Sequence, residues 1–281
     1  MKQLTHQSPQ KEIEIYTEAI RLNPKDASAY NNRGAARSKL KDYRGAVEDY
    51  TKAITLKPNY PTAYNNCGLA RFQLRDIQGA IADYTQAINL NVNYAAAYNN
   101  RGAARFWLKN REKALEDFTE AIRLNPNYAA AYNNRGNARS SLGDNLGAIE
   151  DFNQVIRLVP KNAAAYNNRG NARSAVGDYL GAIEDYSEVI RIAPKYVDAY
   201  INRGIAFASL GDYRGAMEDY DRSLDLNPKN ADAYYNRGSL RSQLGEKKEA
   251  ISDWQKAANL YLRQDKLAAY RNAIVRVRNN V

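Results

Sequence analysis

The side chains behind most metal and acid–base chemistry are nearly missing: the 281-residue chain has one cysteine, Cys67, and one histidine, His6. A lone cysteine excludes a disulfide within the chain, and one histidine cannot complete a Cys/His zinc set. His6 stands in a polar N-terminal stretch, where a solvated side chain is expected. Long apolar runs are missing too. The start, MKQLTHQSPQKEIEIY, has no signal-peptide core, and no later stretch approaches the ~18 apolar residues of a membrane span. A soluble, cytoplasmic chain without membrane insertion is expected. There is no nucleophile–base pairing, Gly-rich phosphate loop or metal-ligand cluster, so no enzyme activity, cofactor or metal is expected.

What remains is ordinary in amount and unusual in order. Hydrophobic residues are 44% of the chain and charged residues 26%, enough apolar material for a core. AYNNRG occurs at 29–34, 97–102, 131–136 and 165–170, with near-copies at 63–68, 199–204 and 233–238. The step is 34 residues each time, giving seven units: 27–60, 61–94, 95–128, 129–162, 163–196, 197–230 and 231–264. The first half of a unit, such as 129–142, lacks proline and has helical spacing. Gly143-Asp144, Gly177-Asp178 and Gly211-Asp212 follow as turns, with glycine closing one helix and aspartate capping the next. In the second half, Ala182, Ile183, Tyr186, Val189 and Ile190 share one helical face. A proline such as Pro126 or Pro194 then ends most units.

Within the unit, position 4 is tyrosine from Tyr30 to Tyr234, position 8 is glycine from Gly34 to Gly238, and position 20 is alanine from Ala46 to Ala250. Position 24 is aromatic: Tyr50, Tyr84, Phe118, Phe152, Tyr186, Tyr220 and Trp254. This period and pattern resemble the tetratricopeptide repeat (TPR). The resemblance implies an all-α fold, a right-handed superhelical solenoid of antiparallel helix pairs. Stacking is obligatory, because one unit cannot bury its own apolar face. Residues 1–26 are expected to be a tail and a half repeat holding only a second helix. Residues 265–281 are expected to form a basic helix capping the seventh unit.

Two positions depart from the usual pattern. Position 7 is Arg33, Cys67, Arg101, Arg135, Arg169, Arg203 and Arg237; position 11 is Arg37, Arg71, Arg105, Arg139, Arg173, Phe207 and Arg241. At ~100° per residue these two lines project together, toward the second helix. Position 23 is aspartate in all units, from Asp49 to Asp253. One reading is an internal ion-pair ladder, since a partly buried arginine needs a carboxylate partner. The other is a cationic track for nucleic acid. Cys67 replaces one ladder arginine, as a small buried filler or as a thiol activated by cationic neighbours.

In the resembled fold, positions 2, 5, 6, 9, 12 and 13 line a concave groove. Position 6 is asparagine throughout: Asn32, Asn66, Asn100, Asn134, Asn168, Asn202 and Asn236. Position 5 adds Asn99, Asn133 and Asn167 along with Asn31 and Asn65, and position 9 adds Asn137 and Asn171. An asparagine amide can hold a peptide backbone through a donor and an acceptor without reading sequence. The alternative is that these residues space and cap neighbouring first helices. Leu69, Phe72, Phe106 and Trp107 form an apolar patch at positions 9, 12, 12 and 13, as side-chain anchors or as packing between first helices. Ile201, Ile205 and Tyr235 form a lesser set. The chaperone-tail clamp known in some TPR modules needs lysines at positions 5 and 2. Position 2 here is Ser28, Thr62, Ala96, Ala130, Ala164, Asp198 and Asp232, which disfavours it.

The expected function is a non-catalytic scaffold binding a protein or peptide segment in the asparagine-lined groove. The alternative is a self-association module, a homo-oligomer built through open terminal repeats. Nucleic-acid or acidic-surface binding through Arg263, Lys266, Arg271, Arg276 and Arg278 ranks third. The net charge of +10 adds little to that case, because the twelve patterned arginines contribute to it while facing aspartates.

Overall fold

The computed structural model describes residues 8–280; His6 lies outside the described residues. The chain divides into two compact units, one ending at Leu142 and the other starting at Gly143. In the first unit the helices are α1 (Pro9–Leu22), α2 (Ala27–Lys39), α3 (Tyr43–Leu56), α4 (Pro61–Gln73), α5 (Ile77–Leu90), α6 (Ala95–Trp107), α7 (Arg111–Leu124) and α8 (Ala129–Ser141). The second unit holds α9 (Asn145–Leu158), α10 (Ala163–Ala175), α11 (Tyr179–Ile192), α12 (Val197–Ser209), α13 (Tyr213–Leu226), α14 (Ala231–Gln243), α15 (Lys247–Arg263) and α16 (Leu267–Arg278). Among the described residues there is no strand, and each unit is an all-α stack of helices packed on their sequence neighbours.

Local chemistry sets the helix boundaries. In the turn after the first helix of a repeat, one residue takes positive φ: Lys41 (63°), Arg75 (67°) and Lys109 (62°) in the first unit, Gly177 (84°), Gly211 (83°) and Gly245 (86°) in the second. The side chain of the residue that follows then caps the second helix. Asp42 accepts from the Gly45 N–H at 3.0 Å, and Asp178 from the Gly181 N–H at 3.0 Å. The helices α1, α5, α7 and α13 end on Asx turns, as where Asn91 accepts from the Asn93 N–H at 3.1 Å.

The core is made of alanines and one aromatic per repeat. Tyr84, with Ile77, Ala80 and Ala104, forms one cluster in the first unit; Tyr186, with Ala182 and Ala206, forms a counterpart in the second. Glycine at position 8 permits the close approach of the two helices: a Cβ on Gly170 would stand 2.7 Å from the Tyr186 ring. Each buried aromatic contributes roughly 1.5–3 kcal/mol by leaving water. At the second unit's end, Ala273 of α16 packs on Ala257, Ala258 and Tyr261, while Arg271, Arg276 and Arg278 remain exposed.

Candidate functional site

The position-7 and position-11 arginines point between the two helices of their repeat. Arg101 forks onto Asp117 with Nε at 3.1 Å and Nη2 at 2.8 Å, and Arg105 reaches the same carboxylate at 2.8 Å. Arg169 and Arg173 share Asp185, and Arg237 and Arg241 share Asp253. All three aspartates are buried. Each position-7 arginine also covers the tyrosine three residues before it, at 5.5 Å for Arg101 over Tyr98. It further donates to a polar side chain of the preceding repeat: Arg101 to Thr85, Arg169 to Asn153, Arg203 to Ser187 and Arg237 to Asp221. These arginines therefore tie a repeat internally and to its predecessor, and they do not form a cationic surface track.

Two repeats lack one arginine. Cys67 stands at position 7 of the second repeat, and burial pushes its thiol well above the ordinary range, with the Asp83 charge adding to the shift. A buried neutral thiol is a poor nucleophile, so Cys67 is a packing residue. In the sixth repeat Phe207 replaces the position-11 arginine. Burial raises the Asp219 carboxyl there, although Arg203 opposes it.

The asparagines also engage one another. In the first unit, the position-6 amide donates across to the position-5 carbonyl of the preceding repeat. The bonds are Asn66 to Asn31 at 3.2 Å, Asn100 to Asn65 at 3.0 Å and Asn134 to Asn99 at 2.9 Å. Position 5 donates in turn to its own neighbour, Asn31 to Asn32 at 3.2 Å and Asn99 to Asn100 at 3.4 Å. Asn31, Asn65, Asn99 and Asn167 are buried, whereas Asn133 and the position-6 residues are half-buried. In the first unit the Asn31, Asn65 and Asn99 carbonyls are thus engaged by the next first helix.

The apolar patch splits as well. Phe72 packs on the Tyr84 cluster and Phe106 on the Phe118 cluster, leaving Leu69 and Trp107 exposed at 41% and 49%. The Arg75 guanidinium lies 5.6 Å from the Trp107 ring.

In the second unit the amide ladder changes. Position 5 becomes Ile201 and then Tyr235. Asn202 donates to Asn171 at 3.3 Å, the oxygen that also accepts from the Tyr186 hydroxyl at 2.8 Å. A cavity of about 450 Å³ opens at this change. Four amides line it (Asn167, Asn171, Asn202 and Asn236), with the carboxylates Asp198 and Asp232 and the apolar Tyr196, Ile201 and Ile205. A second cavity of about 260 Å³ shares Ile205 and Asn236 and continues along α12 and α14. The two acids appear in the sequence only as a mismatch to a lysine clamp. Their place beside a broken amide ladder emerges from the packing. Among the described residues no group of His, Cys, Asp and Glu is arranged to hold a metal ion, and no helix is long and apolar enough to cross a membrane.

Family models described as "TPR repeat" match residues 136–177, 174–211 and 206–245. Models described as "tetratricopeptide repeat" match 27–60 and 95–128, 118–150, and 61–93 and 231–264. A "protein prenyltransferase alpha subunit repeat" model matches 9–40, the α1–α2 region. No curated protein matches the chain. Among solved structures, YrrB, described as a TPR protein with an unusual peptide-binding site, superposes with a TM-score of 0.61 at 22% identity, covering 66% of this chain and 96% of YrrB. A tetratricopeptide repeat protein from Parabacteroides merdae gives 0.64 at 22% identity, covering 93% and 99%. MamA from Desulfovibrio magneticus gives 0.57 at 24% identity, covering 61% and 97%. At these identities the likeness is one of fold. Repeat models matched across most of residues 27–264, on helix pairs recurring every 34 residues, show that the chain belongs to the tetratricopeptide repeat family of protein–protein interaction scaffolds.

Proposed function

We propose that this protein is a non-catalytic scaffold that holds an extended peptide or protein segment on the first-helix face of its repeats. The principal binding site is the pocket between α10, α12 and α14. The observation that carries this reading is the cavity itself, where amides, carboxylates and isoleucines converge. Amides can hold a peptide backbone in register, and Ile201 and Ile205 offer an apolar seat for one side chain. The peptide-binding site named for YrrB supports the same use of the fold. In the first unit Asn32, Asn66, Asn100 and Asn134 serve the ligand only with valences left over from the ladder, and Leu69 and Trp107 are the apolar anchors there.

The test is panning of displayed short random peptides against the whole chain and against an Asn171→Ala/Asn202→Ala/Asn236→Ala variant with its helical content verified. Peptides retained by the wild type and released by the variant are expected. Equal retention by the folded variant refutes the groove assignment.

A second reading, self-association, is favoured by apolar side chains left exposed on terminal helices: Ile15 and Leu22 on α1, Leu267 and Val275 on α16. Light scattering over a concentration series tests it, with oligomers lost in an Ile15→Glu/Leu22→Glu variant as the supporting result.

A further inference from the structure

One acceptor in the cavity has no partner. Throughout the first unit the position-5 carbonyl receives an N–H from the next repeat. Asn167 occupies the same position, and its side chain is 8% exposed, yet its Oδ1 is buried without a hydrogen bond. The cause is local. Asn202, the expected donor, is drawn to Asn171 instead. A buried unpaired carbonyl costs about 1–3 kcal/mol, so its presence inside a binding cavity calls for a donor from outside.

The rest of the wall has the same polarity. Asp198 stands in the first turn of α12 and forms no ion pair among the described residues. Asp232 receives the Tyr261 hydroxyl at 2.6 Å, which fixes its carboxylate, and Lys266 approaches it no closer than 3.9 Å. No lysine or arginine lines the cavity. In a chain with a net charge of +10, this is a local negative site. Carboxylates in a concave, partly apolar wall focus their field on a ligand.

We propose that this pocket selects a cationic side chain, a lysine or arginine of the bound segment, whose N–H groups meet Asn167 Oδ1, Asp198 and Asp232 while an adjacent aliphatic residue rests on Ile201 and Ile205. The proposal rests on the groove reading above and names its ligand class. The long stem of such a residue suits a site that is apolar in its wall and acidic at its rim.

The experiment uses the whole chain, a random short-peptide display library and sequencing of the bound pool. The wild type should enrich lysine and arginine over glutamine and glutamate, and peptides chosen from that pool should bind about tenfold more weakly to Asp198→Asn, the loss of one charge-assisted hydrogen bond. Their binding should also weaken with added salt. A bound pool without cationic enrichment, or enrichment that Asp198→Asn leaves unchanged, overturns this proposal while leaving the groove reading in place. A wild-type chain that retains no peptide overturns both.

Discussion

Cys67 faces Asp83 across the one repeat in which the position-7 arginine is absent, and Asp83 Oδ2 is buried there without a hydrogen bond. Arg71 lies 3.3 Å from that oxygen, close enough for attraction but not aligned to donate. Burial raises the Asp83 carboxyl above its ordinary value. An acid whose folded pKa is raised gives its full stabilisation below the unfolded pKa and loses it as pH rises through the folded pKa. Cys67→Arg supplies the missing fork, and equivalent pockets already accommodate arginine at Arg33 and Arg101. The variant should be more stable by about 1–2 kcal/mol at neutral pH. The gap over the wild type should shrink as pH falls through the raised folded value of Asp83 toward ~4, the ordinary value of the unfolded chain. Urea unfolding of both proteins at several pH values measures this. A gap that does not depend on pH would rule out Asp83 as its source.

The converse substitution removes the carboxylate that two arginines share. Asp185→Ala leaves Arg169 and Arg173 without their common partner inside the α10–α11 pair. Stranding a fully buried charge costs about 3–5 kcal/mol. Both guanidiniums keep partial water contact, with side-chain exposures of 16% and 21%, so the expected loss is near the lower end, about 3 kcal/mol. Asp185→Ala and Arg169→Ala should be strongly non-additive in a double-mutant cycle followed by thermal unfolding. Additive losses would mean that the ladder contributes no coupling energy.

The turns offer an opposite, stabilising change. Lys41, Arg75 and Lys109 hold positive φ where the second unit uses Gly177, Gly211 and Gly245. A left-handed conformation costs an L-residue roughly 1–2 kcal/mol, part of which glycine returns as unfolded-state entropy. Lys41→Gly and Lys109→Gly should therefore each stabilise by about 0.5–1 kcal/mol, whereas Arg75→Gly should gain less because it also removes the contact with Trp107, and Gly177→Ala should destabilise by about 0.5–1 kcal/mol. Equilibrium denaturation gives the sign directly.

The repeat period, the helix pairs and the Arg–Asp pairing were all legible in the sequence, because each recurs every 34 residues and follows from local spacing. The arginines' link to the preceding repeat has a sequence signal as well. Position 25 is polar throughout, as at Thr51, Thr85, Thr119, Asn153, Ser187 and Asp221. The burial of Asn99 and Asn167 was not legible. It depends on how closely one first helix approaches the next, a distance that no single repeat encodes. The cavity was hidden for a related reason. It arises where Ile201 interrupts the amide ladder, and an interruption has structural meaning only after the uninterrupted ladder is seen in three dimensions.

Asn99 and Asn167 occupy the same position in different repeats, but their carbonyls have different fates, and that difference separates stability from binding. Asn99 Oδ1 accepts from Asn134 at 2.9 Å, whereas Asn167 Oδ1 has no partner. Asn99→Ala removes a made bond and leaves the Asn134 donor half-buried, so it should cost about 1–2 kcal/mol. Asn167→Ala removes an acceptor that forms no bond, so its cost should be smaller by about 1 kcal/mol. Urea midpoints of the two variants, taken at unchanged m-value, measure the difference. If the losses are equal, the inter-repeat amide bonds carry no net stability and the asparagines are spacers by shape alone. If Asn167→Ala is nearly neutral and yet lowers peptide retention, the unpaired carbonyl is maintained for a ligand, at a stability cost that a purely structural ladder would have no reason to bear.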